Sequence, residues 1–175
     1  PWVERVRGVQ ALPGRRLVVR LDYRNPVAIA EYPDGNKIWV DRDGVILPRD
    51  DVDDELAATL VGLHGFPPPT APRLGETWSR TDGHGEQPQP DARVVEAAAL
   101  ATFLKAHLGE LAGHLDGQPH AVVQLFKERG LYVQLYGDSL ADSLMLYWLH
   151  DPLSEAATAH LTDEAKWAML RDWLD

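Results

Sequence analysis

His107, Glu110 and His114 come nearest to a reactive constellation in this chain. They stand at i, i+3 and i+7 of "ARVVEAAALATFLKAHLGELAGHL", which reads as one long helix, so all three project near one face. Imidazole and carboxylate groups placed so can hold a divalent metal, which would suit a metal-dependent hydrolase. The spacing is not the tight H-E-x-x-H pattern, and no further ligand cluster accompanies it. A solvent-facing polar stripe opposite Val94, Leu104 and Leu111 explains the same residues more simply. The acids Asp41, Asp43, Asp50, Asp51, Asp53, Asp54 and Glu55 invite a calcium reading. Their spacing does not match an EF-hand loop, and a turn followed by a helix-starting acidic run accounts for them.

The remaining chemistry is sparse. Ser79, Ser139, Ser143 and Ser154 all lie outside a G-x-S-x-G elbow. "GHG" at 83–85 lacks the lysine and helix start of a phosphate cradle. Cysteine is absent, which removes disulfides, zinc ribbons and thiol nucleophiles. No catalytic residue and no cofactor are therefore expected. Of the six tryptophans, Trp39, Trp148, Trp167 and Trp173 fall at core-compatible positions, whereas Trp2 and Trp78 are less constrained.

The net charge of −10 repels phosphate backbones, so nucleic acid is not expected as a partner. No apolar run approaches the ~18 residues of a membrane span, and no signal peptide is visible. The chain opens on Pro1-Trp2 without a start methionine, and we read it as an excised piece of a longer protein.

The elements that must position these residues read as follows. Residues 3–12 and 15–24 are strands around an "LPG" turn, the second with strict alternation from Leu17 to Tyr23 and hence a half-buried face. "PDGN" at 33–36 closes a hairpin over 27–41, and "VILP" adds a short strand. "RDDVDDELAATLVGL" is a linker turning into a short helix or extended segment. Residues 64–90, rich in Pro and Gly, are a long irregular connection. Asp91 caps the long helix. Strands "HAVVQLF", "GLYVQLY" and "LMLYWL" make an antiparallel meander, and a last helix starts at Thr162 with Trp167, Leu170, Trp173 and Leu174 on one face. The class is α+β in two pieces, 1–48 and 49–175.

"PWVERVRGVQALPGRRLVVRLDYRNPVAIAEY" followed by "WVDRDGVIL" resembles the periplasmic region of the cell-division FtsQ/DivIB family. Pro1–Val3, Leu12–Gly14, Pro26–Ala28 and Asp41–Val45 match its motifs in order, over about a quarter of the chain. "ATLVGLHG", the long helix, the meander and "DEAKWAMLRDWL", with Lys166 at a usual basic position, agree more loosely. Tyr23-Arg24-Asn25, where the family often has Glu-Arg before x-Pro, and the proline-rich 66–90 loop depart from it.

The resemblance implies that 1–48 is the C-terminal half of a polypeptide-transport-associated (POTRA) domain. Residues 49–175 would then be an FtsQ-type β domain, a meander with flanking helices that lacks its last strands. It further implies a non-enzymatic scaffold of the division machinery that regulates septal peptidoglycan synthesis. The parent would be a single-pass inner-membrane protein, anchored by a helix upstream of this chain, with its bulk in the periplasm. Partners of FtsB and FtsL type would dock by strand addition on a sheet edge. The candidate contacts there are Arg129, Tyr132, Gln134 and Tyr147. A different POTRA-bearing module, in outer-membrane assembly or secretion, is the alternative.

Overall fold

Alternation of apolar residues, punctuated by glycine and proline, builds most of this chain into strands. The structure is a computed structural model that describes residues 2–49, 53–70, 72–81, 87–126, 130–140, 143–149 and 162–174. Strands β1 (Val3–Leu12) and β2 (Arg16–Tyr23) form an antiparallel hairpin that is a two-stranded sheet of its own. The Pro13-Gly14-Arg15 turn needs left-handed backbone at two successive positions, Gly14 (φ 80°) and Arg15 (φ 60°). The expected half-buried face of β2 is not realised: Leu17 is 64% exposed and Tyr23 60% exposed. A two-stranded ribbon has no second layer to bury its apolar side against. It is tied to the rest by the Arg24 N–H donating to Trp2 O (2.8 Å) and by Arg42 donating to Glu4 (3.1 Å).

From Val27 the chain enters the main sheet. Strands β3 (Ala28–Glu31) and β4 (Lys37–Val40) pair as the hairpin expected from "PDGN", where the Asp34 carboxylate accepts the Asn36 N–H. Strand β5 (Ile46–Leu47) extends this pair antiparallel to β4. After helix α1 (Asp54–Ala58), capped by Asp53, strand β6 (Val61–His64) lies parallel to β3, with Ala28 opposite Val61. The Pro/Gly-rich connection carries a two-residue pair, β7 (Ser79–Arg80) and β8 (Gln89–Pro90). Helix α2 (Ala92–His107) and the 3-10 turn Leu108–Leu111 lead into β9 (His120–Phe126), parallel to β6. Strands β10 (Gly130–Tyr136) and β11 (Leu144–Leu149) complete the expected antiparallel meander, and helix α3 (Asp163–Leu174) follows.

The result is α+β, with a seven-stranded mixed sheet in the order β11-β10-β9-β6-β3-β4-β5. This sheet crosses the division expected at 48/49. β3, β4 and β5 lie before it and pair, through β6, with strands that lie after it. The break in pairing falls instead after Tyr23, where the β1–β2 hairpin ends.

Side chains alternate between two covers. Ala28, Ala30, Val40, Ile46, Val61, Leu63, Val123, Leu131, Val133 and Leu135 face a core closed by α2 and α3. Alanines at 97, 98 and 101 let α2 sit close to β3, β6 and β9. On the opposite face a smaller cluster, Trp39, Leu47 and Leu60, is covered by Trp2 and by Ala57 of α1.

Trp39, Trp148 and Trp167 are buried as expected. Trp78 and Trp173 exchange roles. Trp78 is fully buried, pinned by its backbone N–H donating to Gly44 O (2.8 Å), although it lies in the irregular connection. Trp173 is 70% exposed, because α3 turns Trp167 and Leu170 inward and leaves Trp173 outside.

Candidate partner-binding edge

Strand β11 is an edge of the seven-stranded sheet and, among the described residues, pairs only with β10. An edge presents main-chain donors and acceptors to any extended segment that comes alongside. The side chains beside this edge come from the face opposite α2. Tyr132 stands directly across from Tyr147, and their rings meet edge-on at 5.2 Å. Phe126 adds a second edge-on contact to Tyr132 at 5.0 Å. A row of aromatic rings thus runs from β9 through β10 to β11, with Phe126 and Tyr147 both more than a third exposed. Met145, beside Tyr147 on the same face, is exposed as well. Reduced hydration, and then the neighbouring Tyr132, raise the Tyr147 phenol above its ordinary value.

A polar row lies next to the aromatic one. Gln124 donates to Gln134 (2.5 Å), and Gln134 donates to Ser143 (2.9 Å). It fixes the Gln134 amide in one orientation and ties three strands together on the open face.

Three of the four expected contact residues, Tyr132, Gln134 and Tyr147, therefore come together on one face of adjacent strands. Arg129 lies outside the described residues. The sequence reading did not single out Phe126 and Met145. Their positions were available in the same alternation that places Gln124 and Tyr147 on the outer face.

The three residues that came nearest to a metal site, His107, Glu110 and His114, have other partners. The α-helix ends at His107, and Glu110 lies in a 3-10 turn that His114 follows, so the three do not share a helical face. Glu110 joins three donors: His107 Nδ1 (2.7 Å), Trp167 Nε1 (3.1 Å) and Arg171 (2.9 Å). His107, Trp167 and Arg171 hold its carboxyl below the usual carboxylate range. Glu110 thus fastens α3 to the end of α2. Among the described residues, no group of three His, Cys, Asp or Glu is placed to hold a metal ion.

The last helix is also fastened to the edge strand. Lys166 donates to Trp148 O (2.5 Å) and lies over the Trp148 ring at 5.5 Å, while Trp148 Nε1 donates to Asp163 (2.8 Å). Burial pushes the Lys166 amine below its ordinary value. No helix among the described residues is long and apolar enough to cross a membrane. Comparison with family models, with curated proteins and with solved structures found no match to this chain.

Proposed function

We propose that this chain is a non-enzymatic scaffold module of the bacterial division machinery, of FtsQ/DivIB type, that receives a strand from a partner along β11. The observation that carries this reading is the pairing of an edge strand with an exposed aromatic row. Main-chain groups of β11 supply sequence-tolerant affinity, and Tyr132, Tyr147, Phe126 and Met145 select the partner's alternate side chains. The docked strand would carry apolar or aromatic residues on the open face.

The β1–β2 hairpin supports the POTRA part of the reading. Apolar residues exposed along both strands suit a ribbon that belongs to a larger sheet-and-helix unit. The periplasmic setting, the upstream anchor and partners of FtsB and FtsL type follow from the sequence motifs and form part of the same proposal.

Calorimetric titration with the extracytoplasmic segments of FtsB- and FtsL-type proteins tests it. The expected result is saturable binding of one segment, weakened at least about tenfold by Tyr147→Glu. Absence of binding, or binding indifferent to Tyr147→Glu, would sink the reading.

A further inference from the structure

The β1–β2 ribbon sorts its side chains more completely than its sequence does. Val3, Val6 and Val9 of β1 come every third residue, whereas the apolar residues of β2 from Leu17 to Tyr23 come every second. Uninterrupted pairing would put Val6 on the opposite face from Val3 and Val9. Two register shifts, between Val3 and Arg5 and between Val6 and Gly8, correct this. At each shift β1 carries an extra residue, Glu4 or Arg7, as a β-bulge does. Val3, Val6 and Val9 thereby stand opposite Tyr23, Leu21 and Val19 on one apolar face. Arg5, Arg16, Arg20 and Asp22 fall on the other face, which Arg7 joins by donating to Asp22 (2.6 Å).

That second face is basic on an acidic protein. Residues 1–24 hold six of the seventeen Lys and Arg but two of the twenty-seven Asp and Glu, a charge of +4. The rest of the chain keeps eleven against twenty-five, a charge of −14. All six cations of the ribbon are arginines. Asp22 is taken by Arg7 and Glu4 by Arg42, whereas Arg5, Arg16 and Arg20 pair with no carboxylate among the described residues. Gly8, opposite Arg20, brings no side chain, and a basin of about 400 Å³ opens there beside Arg7, Gln10 and Arg20. Nearer the turn, Leu12 and Val18 are each 38% exposed among the arginines. The ribbon is tied to the main sheet at its base, through Trp2 and Glu4. The tip of this hairpin, at about 3.3 Å per residue of β1, lies roughly 30 Å from that base. Such a distance is several screening lengths at physiological salt, so the acidic remainder does not cancel the charge of the tip.

We propose that the arginine face of the ribbon docks on an anionic bilayer, its guanidinium groups on lipid phosphates. The planar guanidinium fork matches phosphate oxygens. Exposed arginines hold a single ion weakly, because water and salt compete for each contact. A plane of phosphates engages several of them at once and adds their contributions. Leu12 and Val18 then meet the boundary between headgroups and acyl chains, which an acidic peptide does not offer. This docking is independent of β11. It is also independent of whatever covers the apolar face of the ribbon, because the two faces point opposite ways.

Flotation of the full chain with lipid vesicles tests it. Phosphatidylcholine vesicles with about one-third phosphatidylglycerol supply the anionic surface, and pure phosphatidylcholine the neutral one. The expected result is binding to the anionic vesicles alone, weakening as salt rises. At about fivefold for each arginine near such a surface, Arg16→Gln with Arg20→Gln lowers the partition coefficient at least about tenfold. Arg49→Gln with Arg73→Gln removes the same charge away from the ribbon and retains binding. All four side chains are exposed, and circular dichroism establishes that both double variants are folded. Failure to float with anionic vesicles, equal binding to neutral ones, or an equal loss in the two double variants overturns the proposal. Tighter binding to inorganic phosphate or to polyglutamate, at equal charge concentration, assigns the face to a free anion or to an acidic protein and overturns the bilayer.

Discussion

Arg24 and Asp41 form an ion pair that joins two sequence motifs seventeen residues apart. The Asp41 carboxylate is 2% exposed as a residue and does two jobs at once. One oxygen takes the guanidinium of Arg24, at the exit of the β1–β2 hairpin. The other accepts the N–H groups of Asp43 and Val45, both at 2.9 Å, and so shapes the turn between β4 and β5. Arg24, two residues ahead of Pro26, and the Asp41-Arg42-Asp43-Gly44 turn are thus partners in space. They orient the hairpin on the main sheet.

This arrangement predicts unequal costs for the two partners. Asp41→Ala leaves two N–H groups unsatisfied and Arg24 with only the longer contact to Asp43 (3.9 Å), and should destabilise by about 2–3 kcal/mol. Arg24→Ala leaves a carboxylate that still has its two backbone donors, and should cost less. Urea unfolding midpoints of the two variants, with unchanged m-values, check the order.

A second prediction concerns acid. The folded-state value of Glu110 is depressed by hydrogen bonds from His107 and Trp167 and by the charge of Arg171. A depressed carboxylate contributes stability that is fully present above its unfolded value. That contribution is lost as pH falls through the lower folded value. The attachment of α3 should therefore hold at neutral pH and weaken below the ordinary carboxylate range. Trp167 fluorescence should follow that loss. Glu110→Gln should flatten the acid limb of the curve while leaving the meander strands formed.

The aromatic row should be energetically coupled. Tyr132 makes edge-on ring contacts with both Phe126 and Tyr147, so Tyr132→Ala should cost stability beyond the loss of its own buried area. The Tyr132/Tyr147 double-mutant cycle should give a coupling of about 0.5–1.5 kcal/mol. Additive losses would mean that the rings are neighbours without interaction.

Close approach of backbones sets a fourth expectation. Gly65, just past β6, has φ 78°, and a Cβ there would stand 2.4 Å from Leu125 O. Gly65→Ala combines left-handed strain with a clash against main chain, and should cost at least about 2 kcal/mol. Gly8→Ala, where nothing lies within 4 Å, serves as the control and should leave stability nearly unchanged.

Much of this fold is legible because its elements obey one periodicity at a time. The alternation in "HAVVQLF" and "GLYVQLY" places β9 and β10, and Asp91 followed by spaced apolar residues places α2. β6 escapes the same logic. Leu60, Val61 and Leu63 are buried on both faces of the sheet, and so short a continuous apolar run reads equally well as helix.

Placing His107, Glu110 and His114 on one helical face, for a metal or for a polar stripe, assumed an unbroken helix, whereas the chain tightens into a 3-10 turn at Leu108. Tyr132, Gln134 and Tyr147 could be assigned to a face from sequence. That Tyr132 meets Tyr147 could not, because their register depends on the bulge at Trp148 and on the contacts that α3 brings to it.

The placement of β6 also has a kinetic consequence. Four residues join two antiparallel halves, β3–β4–β5 and β9–β10–β11, and do so by parallel pairing on both sides. Each half can form its own hairpins from nearby residues, but neither can be sealed to the other until α2 has carried the chain across. Long-range closure of this kind is slow. Assembly should therefore show an early phase in which hairpins form, followed by a late, concerted phase when β6 inserts. In unfolding, loss of β6 should release both halves together.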